Sequence, residues 1–171
     1  IFGPGNQYVT EAKILVSKDI SIDMPAGPSE VYVVSNDKSK IDVIASDLLS
    51  QLEHSKDAKA VFISQNKSLI LDISDEINKQ KGSLNRQEIL RSSINNIYLV
   101  NASNDQQIID FINTNAPEHL ILFDNDFSKI AQYVNNAGSV FCGNYSPESF
   151  GDYTSGSTHT LPTSRAAKTY S

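Results

Sequence analysis

From residue 30 onward, short apolar runs alternate with longer stretches in which apolar positions recur every three or four residues. The runs "EVYVVS", "KAVFIS", "NIYLV", "HLILF" and "GSVFC" are rich in β-branched and aromatic residues and have strand length. Between the first two, residues 39–54 put Ile41, Ile44, Ala45, Leu48, Leu49 and Leu52 on one helical stripe. The segments "SLILDISDEINKQ", "RQEILRSSI", "NDQQIIDFINTN" and "DFSKIAQYVNNA" predict further helices. This alternation predicts an α/β fold: a doubly wound, mainly parallel sheet with helices on both faces. Ahead of it, Asn6 is a predicted N-cap for a helix reaching about residue 18, with Tyr8, Val9, Ala12, Leu15 and Val16 on its apolar side. "ISIDM" reads as a short strand and "PAGPSE" as a turn. The expected organisation is therefore residues 1–29 as the end of a preceding unit, 30–143 as the α/β domain, and 144–171 as a polar loop segment. A loop of that length in a compact domain is usually functional or disordered.

Composition narrows the function classes. The 171 residues are 39% hydrophobic and 20% charged, as in ordinary globular proteins. The net charge is −6 and no Lys/Arg cluster occurs, which argues against a nucleic-acid or anionic-membrane surface. No apolar run has the length of a membrane span. A single cysteine, Cys142, excludes an internal disulfide and fits a reducing, cytoplasmic setting. The chain opens at "IFGPGNQYVTEAK" without an initiator methionine and stops at "AAKTYS" with no closing element, so an internal piece of a longer protein is expected.

The three histidines all fall in segments dense in polar and turn residues. In "SQLEH", Gln51 and His54 are three apart, about 60° on a helix, and share a face at the edge of the stripe. They could reach one metal ion; a C-terminal histidine favoured by the helix dipole beside a solvated Gln51 is the better reading of this motif alone. In "APEHL", Glu118 and His119 offer a carboxylate and an imidazole to divide proton transfers, or a turn pair bonded to the backbone. His119 opens its strand, whereas ligands of parallel sheets favour the carboxyl ends. "SPESFGDYTSGSTHTLPT" adds Asp152 and His159, with glycines that allow close backbone approach. Such N and O donors suit zinc. "GPGN" is only a weak nucleotide signal, and "PAGPSE" with Ser29 is not the elbow of a serine hydrolase.

Taken together, "FGPGNQYVTEAK", "IDMPAGPSEV", "ASDLLSQLEH", "NAPEHL" and "AGSVFCGNYSPESFGDYTSGSTHTLPT" resemble the histidinol dehydrogenase family, in the family's order and across nearly the whole chain. The resemblance implies a zinc-dependent, NAD-linked oxidation of L-histidinol to L-histidine through the aldehyde, by a homodimer. It makes Gln51, His54 and Asp152 zinc ligands and Glu118 and His119 the acid–base pair. Ser29, Gln51, His54, His119, Asp152 and His159 fall on the substrate side, and Asn6 at the NAD site. It also implies that a further zinc ligand and most of the nucleotide-binding unit lie outside residues 1–171, leaving this chain an incomplete enzyme. A non-catalytic metal-binding module, or a zinc hydrolase with Glu118 as its base, are the alternative functions.

Overall fold

In the computed structural model, which describes residues 1–3, 5–25, 27–124, 128–152 and 161–168, the apolar runs become five strands. These are β1 (Glu30–Val34), β2 (Lys59–Ser64), β3 (Ile97–Asn101), β4 (His119–Leu122) and β5 (Ser139–Cys142). They form one sheet in the order β3-β2-β1-β4-β5, with every neighbouring pair parallel. The helices are α1 (Gln7–Val16), α2 (Ile41–Leu52), α3 (Lys67–Gln80), α4 (Gln87–Ser93), α5 (Asp105–Asn115) and α6 (Ser128–Ala131).

The period-two alternation within β1 explains the double winding. Val31 and Val33 face a core built with Ile44, Leu48 and Leu52 of α2 and Leu69 and Ile73 of α3. Tyr32 and Val34 face the opposite core, with Ile108 and Ile112 of α5. Both faces of the central strands are buried, hence the near-continuous apolar runs in the sequence. Side-chain caps start the helices on schedule: Asn66 accepts from Ser68 N and Leu69 N before α3, and Asn104 from Gln107 N before α5. Among the described residues no helix is long and apolar enough to cross a membrane.

Three expectations need correction. The apolar side of α1 is not packed: Tyr8 is 75% and Leu15 68% exposed, and Lys13 is the buried residue of the helix. A polar latch holds this segment instead. Lys13 Nζ donates to Gly3 O at 2.6 Å and pairs with Asp23, whose Oδ2 accepts from Gly3 N at 2.8 Å. "ISIDM" forms no strand, since no strand lies alongside to complete a ladder; Asp23 N donates to Ile1 O at 3.1 Å instead. Of the helix expected over 126–137, residues 126 and 127 lie outside the described residues and the remainder is α-helical only over Ser128–Ala131, because Asn113 Oδ1 accepts from Asn135 N and Asn136 N and draws the chain into a turn.

Candidate active site

The connection from α5 into β4 places the "PEH" motif. Ala116 caps α5 in the left-handed region, at φ 48°, with its N–H bonded to Ile112 O at 2.7 Å. Pro117 cannot continue the helix, so the chain turns and Glu118 and His119 enter the sheet at its amino edge. The start of β5 clamps them there: Gly138 N donates to Pro117 O and Ser139 N to Glu118 O, both at 2.8 Å. A Cβ on Gly138 would lie 2.5 Å from Glu118 O, so this approach needs glycine.

Glu118 is 8% exposed, and its Oε2 accepts from Ser29 Oγ at 2.6 Å and from Glu30 N at 2.9 Å. These bonds hold a buried carboxylate that would otherwise be poorly solvated. His119 Nδ1 lies 3.3 Å from Glu30 O, 3.5 Å from Glu118 Oε2 and 3.6 Å from Glu148 Oε1. All three are acceptors, so Nδ1 is placed to donate to them. Phe141 flanks the ring, with centroids 6.3 Å apart. Glu30, beside this pair, is 6% exposed, and burial pushes its carboxyl above the usual range.

The other sequence-predicted groups arrive through the crossover geometry. A helix linking parallel strands runs back against them, so the carboxyl end of α2 returns to the amino edge of the sheet. Gln51 is 3% exposed there, which overturns the solvated reading of this residue. His54 is exposed, in the turn after α2, with its N–H on Gln51 O at 3.1 Å. A cleft of about 540 Å³ is lined by Ser29, His54, Glu118, His119 and Glu148. A smaller one of about 130 Å³ is lined by Asp47, Gln51, His54 and Glu148, and the two share His54 and Glu148. Residues distant in sequence thus meet at one edge: Ser29, Gln51, His54, Glu118 and His119.

Asn6 is not among the residues lining these clefts; it caps α1, its Oδ1 accepting from Tyr8 N and Val9 N. His159 and the Asp152 side chain lie outside the described residues; the Asp152 backbone closes the short 3-10 helix Glu148–Asp152. Sequence reasoning missed Asp47 and Glu148. Asp47 stands one turn before Gln51 on the same helix, and burial pushes its carboxyl up to about 6. Glu148 carried no signal beyond its place in the polar loop.

Among the described residues no three His, Cys, Asp or Glu side chains are grouped so as to hold a metal ion by themselves, but the smaller cleft gathers ligand types. Gln51 Nε2 is buried without a hydrogen-bond partner, and amide oxygen, imidazole and carboxylate are donors that zinc accepts. Asn6 already occupies the first amides of α1, and the carboxyl-edge crevice is lined by Asp105 and Asp124. Hydrogen bonds tie the loops around that crevice: Asp124 accepts from Ser35 Oγ at 2.6 Å and from Asn36 N, and Asn36 Oδ1 from Ser64 Oγ and Gln65 N.

The family model for histidinol dehydrogenase matches residues 1–171. The chain belongs to the histidinol dehydrogenase family. Histidinol dehydrogenases of Bacteroides fragilis and Bacteroides thetaiotaomicron are 47% and 48% identical to it over 172 residues. Each alignment covers 100% of this chain and 40% of the relative, so the chain spans less than half the length of these histidinol dehydrogenases. The crystal structure of histidinol dehydrogenase from Elizabethkingia anophelis superposes with a TM-score of 0.91 at 39% identity, over 99% of this chain and 39% of that one.

Proposed function

We propose that this chain carries part of the active site of a histidinol dehydrogenase that oxidises L-histidinol to L-histidine through L-histidinaldehyde. The observation that carries the reading is the meeting of Glu118 and His119 with Ser29 and His54 in one cleft. Gln51, His54 and Asp152 would hold zinc, with a further ligand from sequence outside residues 1–171. When bound, zinc would anchor the substrate as a Lewis acid and NAD, held mostly by segments beyond this chain, would accept hydride. The setting is cytoplasmic and the assembly a homodimer.

A carbinol carbon releases hydride only as its hydroxyl proton departs. His119 takes that proton, as an imidazole that lines the cleft beside the Glu118 and Glu148 carboxylates. Oxidation of the aldehyde requires its hydrate, and Glu118 removes the proton of the attacking water. Ser29 and Glu30 N keep the Glu118 carboxylate aimed through both half-reactions. The cleft walls bring the remaining polar groups to the substrate and limit the water that reaches it.

The test is histidinol-dependent NADH formation by the protein expressed from its full reading frame. Activity should vanish on chelation and return with zinc. The 171-residue chain alone should show none. Turnover by the isolated chain, or full activity after complete metal removal, would refute the proposal.

A further inference from the structure

The smaller cleft contains two polar groups whose hydrogen-bonding capacity is unused. Gln51 Nε2 is buried and donates to nothing. The half-buried Asp47 carboxylate accepts no hydrogen bond and joins no ion pair among the described residues, and only its own carbonyl is engaged, by Ser50 Oγ. Asp47 and Gln51 are four apart in α2, so they sit one above the other with Cβ atoms roughly 5–6 Å apart. Both line the same 130 Å³ space. A donor without an acceptor therefore lies within side-chain reach of an acceptor without a donor.

We infer that Asp47 is a positioning residue for Gln51: its carboxylate accepts from Gln51 Nε2 and so turns Gln51 Oε1 toward the cation. This rests on reading the cleft as a metal site. An amide has a donor end and an acceptor end, and only the oxygen binds a cation. Without an acceptor on the nitrogen side, the two flips of Gln51 differ little, and one of them presents N–H groups to the metal. A carboxylate one turn away selects the productive flip and polarises the amide, making its oxygen a better donor. The other carboxylate of the cleft, Glu148, has its Oε1 3.6 Å from His119 Nδ1 and is oriented toward that ring.

Zinc affinity of the protein expressed from its full reading frame, measured by competition with a chromophoric chelator, is the test. Asp47→Ala should weaken zinc binding about 10- to 100-fold, and Asp47→Asn, which keeps an uncharged acceptor, should fall between it and the wild type. The melting temperature of the metal-free Asp47→Ala protein should be no lower than that of the wild type. In a Gln51→Glu background no amide needs orienting, so adding Asp47→Ala should leave affinity unchanged or tighten it. Equal weakening in both backgrounds would make Asp47 a direct ligand and overturn the inference. Unaltered affinity in Asp47→Ala would overturn it too. A wild-type protein that binds no stoichiometric zinc would overturn the metal reading itself.

Discussion

Substituting Gly138 by alanine perturbs the placement of the acid–base pair without touching either member. The added Cβ would sit 2.5 Å from Glu118 O, 3.1 Å from Pro162 Cδ and 3.3 Å from Glu118 C. Reaching the 3.4 Å of an ordinary contact requires a shift of about 0.9 Å between β5 and the backbone of Glu118. That shift stretches the two 2.8 Å bonds from Gly138 N and Ser139 N, each worth about 1 kcal/mol net. With overpacking costs of about 1–3 kcal/mol, a loss of roughly 2–3 kcal/mol in stability is expected. Displacement of a reacting group by about 1 Å is worth about 100-fold in rate, so kcat should fall by about that factor. Gly82→Ala is the control, since nothing lies within 4 Å of its added Cβ, and its stability should stay within about 0.5 kcal/mol of wild type. Urea midpoints and steady-state histidinol oxidation measure both effects. A Gly138→Ala protein as stable and active as Gly82→Ala would refute the reasoning.

Ser29→Ala removes the 2.6 Å bond to Glu118, a charge-assisted bond worth about 1.5–3 kcal/mol; kcat should drop at least about 10-fold, and the urea midpoint should fall with the lost bond. The Asp23 carboxyl is held low by Gly3 N–H and by Lys13, so its contribution is complete above the ordinary 3.8 and lost as pH falls through the depressed value. Limited proteolysis of residues 1–24 should therefore quicken only in strong acid, but already at neutral pH in Asp23→Asn. Burial raises Glu30, so its charge destabilises the fold above the raised value and costs nothing below the ordinary 4.5. Glu30→Gln should accordingly unfold at higher urea than wild type at neutral pH, with the gain disappearing as pH falls to about 4.5; a gain independent of pH would contradict this origin.

The sheet was legible because its strands announce themselves locally. "KAVFIS" is β-branched and aromatic, and it became β2 at the residues expected. α1 shows the opposite case: its apolar positions were visible, but whether anything covers them is a tertiary fact, and here the covered side chain is Lys13. His119 lay at the amino end of a strand, which counted against a site on this sheet. The direction of α2 carries Gln51 and His54 to that same edge, which the local sequence around His119 does not reveal. Asp47 escaped notice because an aspartate before a glutamine on an amphipathic helix looks solvated. It lines a cleft together with Pro147 and Ile121, which the local sequence does not bring to it.

The division of labour between Glu118 and His119 is tested most directly by counting NADH formed per L-histidinol consumed, in the full-reading-frame protein and its Glu118→Gln and His119→Asn variants. Oxidation of the alcohol to the acid releases two hydrides. Glu118→Gln should stop near one NADH per histidinol and accumulate the aldehyde, whereas His119→Asn should suppress the first hydride transfer itself. A Glu118→Gln protein that yields two NADH per histidinol at the wild-type rate would contradict the account.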